Sequence, residues 1–138
     1  MDRVFLDTNI LLDHLAARIP FDAAAKVLIQ RAESGEIDLF ISALSLCNIA
    51  YIFRKLSPGA NLPQIIFDLS ELATITPIDS AVISDALQSS FSDFEDAVQY
   101  YSAFRFGNIS HLITRNPTDF VHSLILVQTP EEYLQANS

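Results

Sequence analysis

Three separated stretches of this chain carry oxygen side chains that could act together. Asp7 closes the apolar run Val4-Phe5-Leu6, Asp93 and Asp96 stand three apart ahead of Ala97-Val98, and Asn116 and Asp119 lie in the polar stretch after His111-Leu112-Ile113. Carboxylate and amide oxygens are hard donors, so Asp7, Asp96 and one of Asn116 or Asp119, brought together, would suit Mg²⁺ or Mn²⁺. Two such ions can orient and activate water while stabilising the attacking and leaving oxygens of a phosphodiester displacement. Hydrolysis of nucleic acid is the chemistry this pattern implies.

Each stretch also has a structural explanation. Asp7, Thr8 or Asn9 could cap the helix that follows, Ile10 to Leu15, by accepting from its free N–H groups. Ser92 with Glu95 has the spacing of a capping box, and Thr129-Pro130-Glu131-Glu132 repeats that pattern. Acidic residues in a first turn favour the helix dipole, which accounts for Asp93 but less well for Asp96, where a buried face begins. Asp79 reads as another cap, and Asp85 has no neighbour that asks for it. Asn48, within an apolar helix, is expected to satisfy a local hydrogen bond.

The elements that must position these side chains follow from the hydrophobic pattern. Short apolar runs at Val4–Leu6, Ile37 with Leu39–Ile41, Thr74–Thr76, His111–Ile113 and Leu124–Val127 predict strands. Between them, apolar residues at spacings of three and four predict helices opened by Pro20, Ser42, Asn61 with Pro63, Asp79 and Ser92, and a last one opened by Thr129. Strands alternating with helices predict a three-layer α/β/α sandwich around a parallel sheet of four to five strands. Ligands in such sheets bind outside the carboxyl ends of the strands, where Asp7 and the Asn116/Asp119 loop both fall.

The length of 138 residues fits one domain, 1–138, and 50% hydrophobic residues supply a substantial core. One cysteine, Cys47, excludes an internal disulfide, argues against a zinc cluster, and is expected to be buried. With no exported leader and no membrane-length apolar run, the expected location is the cytoplasm. The net charge of −9, from 17 acidic and 8 basic residues, opposes simple nucleic-acid binding but suits an acidic metal site. A nucleophilic triad is excluded, because His14, His111 and His122 have no matching serine elbow. Phosphoaspartyl chemistry is excluded too. It would want an aspartate where Asn9 stands or a lysine at a late strand end, and the lysines, Lys26 and Lys55, lie inside helical patterns.

Taken in order, Val4-Phe5-Leu6-Asp7-Thr8-Asn9-Ile10-Leu11-Leu12-Asp13, Ile41-Ser42-Ala43-Leu44-Ser45, Asp93-Phe94-Glu95-Asp96-Ala97 and Ile113-Thr114-Arg115-Asn116-Pro117-Thr118-Asp119-Phe120 resemble the PIN-domain family of metal-dependent nucleases. The resemblance implies that Asp7 and Asp96 are metal ligands, with Thr8, Asn9 and Thr114 supporting them. It also implies a further ligand at Asn116, where the family commonly has an acid. The usual glutamate early in the third helix is Asn48 here, which resembles an asparagine-bearing, VapC-like subgroup of bacterial toxin ribonucleases. Such toxins are neutralised by a cognate antitoxin, and a homodimer is expected on the same ground.

The leading expectation is a Mg²⁺- or Mn²⁺-dependent endoribonuclease of the toxin–antitoxin type. Asp7, Asp96 and Asp119 would be its catalytic ligands, with Asn9, Asn48, Asp93 and Asn116 around them, RNA as substrate, and Arg54, Lys55, Arg105 and Arg115 as candidate phosphate contacts. Replacing two acids by Asn48 and Asn116 lowers the ligand charge, which weakens metal binding. That motivates an alternative, a catalytically weak PIN domain serving as an RNA- or protein-binding module.

Overall fold

The computed structural model describes residues 1–138. Its centre is a five-stranded, wholly parallel sheet ordered β3-β2-β1-β4-β5, with β1 Arg3–Leu6, β2 Asp38–Ser42, β3 Thr74–Thr76, β4 His111–Ile113 and β5 Leu126–Gln128. The helices are α1 Thr8–Leu15, α2 Asp22–Glu33, α3 Ala43–Leu56, α4 Leu62–Leu72, α5 Ser80–Gln88, α6 Phe94–Phe106 and α7 Pro130–Ala136. The α/β/α expectation holds. No helix is long and apolar enough to cross a membrane.

Period-two alternation along the strands divides the core. Val4 and Leu6 point to one face, where Leu39, Ile41 and Ile113 join buried residues of α1, α2, α3, α4 and α7. Phe5, Phe40 and Leu112 point to the other face and pack on Tyr100 and Ala103 of α6, while α5 joins α6 through Val82, Ala86, Ala97 and Val98. Because β1 is buried on both faces, its apolar run has no polar interruption until Asp7.

Several boundaries differ from expectation for local reasons. Helix α2 starts at Asp22 rather than at Pro20. The last strand starts at Leu126, not Leu124, because earlier N–H groups are already used: Leu124 donates to the Tyr100 hydroxyl (2.9 Å) and Ile125 to Ser123 Oγ (2.9 Å). The cap of α6 is Asp93, not Ser92, since Asp93 Oδ1 accepts from the Asp96 N–H at 2.9 Å. Glu95 is therefore left without a capping role. The Thr129–Glu132 capping box and the Asp79 and Ser42 caps form as expected.

Connections leave β1 toward β2 on one side and reach β4 on the other, so the sheet order reverses beside β1. A crevice opens at the carboxyl ends of strands where such a reversal occurs. Asp7 and Thr114 are the first residues past β1 and β4. They stay in register, with the Asp7 N–H donating to Ile113 O and the Thr114 N–H to Gln128 O, both at 3.0 Å.

Candidate metal-binding site

Asp7 occupies the N-cap position of α1, yet its side chain makes no capping hydrogen bond. Instead Gln99 Nε2 donates to Asp7 Oδ1 at 2.8 Å and Thr114 Oγ1 donates to Oδ2 at 2.9 Å. Asp7 is only 6% exposed. Burial pushes its carboxyl above the usual range, against the lowering effect of hydrogen bonds from Thr114, the Thr8 backbone and Gln99, and the Asp119 charge pushes the same way as burial. The capping explanation therefore fails for this side chain, whose bonds reach α6 and the first residue past β4.

Around Asp7 lies a buried polar group drawn from three helices. Gln99 Nε2 also donates to Thr8 Oγ1 (3.1 Å), and Thr8 Oγ1 shares a hydrogen bond with Ser45 Oγ (2.7 Å). Ser45 Oγ donates to Gln99 Oε1 at 3.0 Å, and Ser42 Oγ does so at 3.3 Å. The sequence reading missed Gln99 and Ser45, and treated Ser42 only as a cap. The available signal was polarity at the wrong place: Gln99 interrupts the buried series Ala97, Val98, Tyr100, Ala103, and lies one turn after Asp96.

Asp96, half-buried at the start of α6, adds the second carboxylate. Its carboxyl is pushed up to about 7, by burial first and then by the charges of Asp7, Asp93, Asp119 and Glu95. No basic side chain forms an ion pair with Asp96 or Asp7. Asp119 is exposed in the short turn Pro117–Phe120, and Asn116 and Asp93 are exposed at the rim. Thr114 Oγ1 accepts the Asn116 N–H at 3.2 Å, which ties the turn to the Asp7 partner. Asn9 and Asn48 are half-buried, and neither side chain hydrogen-bonds into the group; Ser45, one turn before Asn48, occupies that role on α3.

Three of the four expected phosphate contacts are otherwise engaged, and the fourth lies away from the acids. Arg115 Nε stands 3.0 Å from Asp13 Oδ2, and its guanidinium lies over the Phe21 ring at 4.1 Å. Arg105 pairs with Asp85 at 2.5 Å, giving Asp85 the partner that sequence reading could not supply. Lys55 Nζ bonds the Tyr51 hydroxyl at 2.7 Å. Arg54 is exposed, but at 1.5 Å per residue it lies about 14 Å beyond Ser45 along α3. Cys47 is exposed, correcting the expectation of burial, because it faces outward on α3 while Ser45 and Ile49 face in.

The donor set is all oxygen and carries crowded negative charge with no built-in counter-ion, which suits a hard divalent cation. No three His, Cys, Asp or Glu side chains are close enough to form a closed cage. Mg²⁺ does not need one, since it retains several waters and is commonly held by one or two carboxylates plus substrate phosphates. Asp7 and Asp96 fit that open kind of site, with Asp119 at its edge.

Comparison with known proteins gives the same architecture. A family model described as PIN domain matches residues 3–118. Among solved structures, FitAB bound to a DNA fragment aligns at TM-score 0.68 with 18% identity, covering 92% of this chain and 94% of that one. A toxin–antitoxin complex from Klebsiella pneumoniae aligns at 0.67 with 24% identity, covering 92% and 97%. The toxin VapC20 of Mycobacterium tuberculosis, described as cleaving the sarcin-ricin loop, aligns at 0.60 with 15% identity, covering 79% and 86%. No curated protein matches the chain at a significant level.

Proposed function

The chain belongs to the PIN-domain family, and on that premise we propose that it is a divalent-metal-dependent endoribonuclease of the toxin–antitoxin type, working in the cytoplasm. The observation that carries this reading is the buried Asp7 carboxylate at the sheet's carboxyl end, hydrogen-bonded by Gln99 and Thr114 and paired with no basic residue, with the charges of Asp7 and Asp119 both acting on Asp96. Asp7 and Asp96 would hold Mg²⁺ or Mn²⁺, which when bound supplies Lewis-acid activation of water and neutralises charge on the scissile phosphate. Asp7 is kept in place by the Thr114 hydroxyl and the Gln99 amide. Asp119 and Asn116 stand at the rim, where they would meet the substrate and the outer waters. Asp93 fixes the first turn of α6, and so the direction of Asp96.

Supporting a toxin role, the Klebsiella pneumoniae structure is described as a toxin–antitoxin complex and VapC20 as a toxin. An acidic chain of net charge −9 suits a basic antitoxin, since complementary potentials favour encounter. A homodimer is part of the same proposal, and light scattering on the purified chain checks it. The main test is cleavage of single-stranded RNA in Mn²⁺, Mg²⁺ or EDTA. Cleavage in the metals that stops in EDTA is expected, and cleavage persisting in EDTA would overturn the metal role.

A second reading is a binding module with little activity. It is favoured by Asn48, which stands at the usual glutamate position without reaching the acidic group, and by the exposed Asn116. RNA retention in a gel shift with no cleavage in either metal would select it.

A further inference from the structure

Gln99 is 3% exposed and lies at the centre of the polar group. Gln99 Nε2 donates to Asp7 Oδ1 at 2.8 Å, the direction that a carboxylate free to hold a cation, which only accepts, calls for. The two N–H groups then go to Asp7 Oδ1 and Thr8 Oγ1, and the carbonyl oxygen turns to α3. When Ser45 donates to Gln99 Oε1, Thr8 is the donor in the 2.7 Å Thr8–Ser45 bond. Ser42 Oγ accepts the Ser45 N–H at 3.1 Å and can donate to Gln99 Oε1. Gln99 thus meets Asp7 and Thr8 with its two N–H groups and the α3 start with its carbonyl oxygen, where Ser42 Oγ also lies 3.3 Å from Ser45 Oγ.

We propose that Gln99 is a positioning residue that fixes the Asp7 carboxylate for its cation, linking α6 to α1 and to the start of α3 through Thr8, Ser45 and Ser42. The assignment rests on the metal-site reading above. It also gives α3 a route to the site through the Ser45 hydroxyl, at a helix whose usual acidic residue is Asn48. Polar groups behind a ligand orient it, and their loss costs metal affinity without removing a ligand.

The test compares wild type with Gln99→Met, which keeps the length of the side chain but cannot donate, and with Ser102→Ala as a control. Ser102 is another buried polar residue of α6, bonded to Thr76 Oγ1 (2.6 Å) and Pro77 O (2.8 Å), away from Asp7. Titration calorimetry with Mn²⁺ is read beside melting temperature and RNA cleavage. Gln99→Met is expected to weaken Mn²⁺ binding by about 10-fold or more and to lower kcat with little change in KM. Ser102→Ala should lower the melting temperature and leave Mn²⁺ affinity unchanged. Mn²⁺ affinity within about twofold of wild type in Gln99→Met would overturn the assignment. Should Gln99→Met not fold, Ser45→Ala decides: weaker Mn²⁺ binding supports the link and an unchanged affinity overturns it. If wild type binds no Mn²⁺, the metal-site reading falls, and this role for Gln99 falls with it.

Discussion

Asp7 and Asp13 are two buried carboxylates on either end of one short helix, and they are held in opposite ways. Asp7 has a hydrogen bond to each oxygen and no cation among the groups acting on it. Asp13, 1% exposed, has no hydrogen bond of good geometry to either oxygen, but lies against Arg115 at 3.0 Å and Arg18 at 3.9 Å. Burial raises both carboxyls, and at Asp13 the two arginines oppose it. A structural carboxylate carries its counter-charge within the fold. A carboxylate that is aimed and left without counter-charge, with the charge of Asp119 acting on it, is what the proposed metal site calls for. The contrast also explains why Arg115, next to Thr114, is a poor phosphate contact: it is the counter-ion of Asp13.

The largest expected effect separates the two sites by function. Asp7→Asn with Asp96→Asn should reduce RNA cleavage by more than ~100-fold, because losing ligands exceeds the 10–100-fold cost of losing their supports. Asp13→Asn should instead act on stability alone: burial outweighs the two arginines and holds this carboxyl above its usual range, so removing its charge should raise the urea midpoint at pH 7 while the folded protein keeps its metal affinity. A loss of Mn²⁺ affinity in folded Asp13→Asn would erase the distinction.

A pH effect comes next. The Asp96 carboxyl is raised from 3.8 to about 7 in the fold, so its contribution to stability is complete below about pH 4 and is lost as pH rises through 7. Metal-free protein should melt progressively lower between pH 4 and 7.5. Asp96→Asn should flatten that trend and melt above wild type at pH 8, a gain in stability at the expense of function. Differential scanning fluorimetry in chelator reads this directly, and identical pH trends in the two proteins would contradict it. The smallest effect is expected from Arg54→Ala and Lys55→Ala, which should leave cleavage within about twofold, since exposed charges far from a site are screened. A clear rise in KM for either variant would return α3's end to the RNA path.

The parts of this comparison were not equally legible beforehand. Val4–Leu6 and His111–Ile113 are strands because each is buried on both sides, and that leaves an uninterrupted apolar run in the sequence. Their shared edge then places Asp7 beside the Thr114–Asp119 loop. Local competition set the exact boundaries: the Tyr100 hydroxyl and Ser123 take the N–H groups that would have begun β5 two residues sooner. The acids were visible as residue types, and their grouping followed from the topology. Gln99, Ser45 and the Asp13–Arg115 pair were not visible, because each owes its role to a partner distant in sequence, and helical periodicity records only that a face is buried.

The most direct test of the acidic site is Mn²⁺ titration calorimetry at pH 7 in two buffers of different ionisation enthalpy. Binding by wild type should release protons, because the cation must displace those held by an Asp96 carboxyl that titrates near 7. The heat should therefore differ between buffers, and should vanish in Asp7→Asn with Asp96→Asn. Mn²⁺ binding of unchanged affinity in that double variant, or no binding by wild type, would contradict the assignment of Asp7 and Asp96 as the cation's ligands.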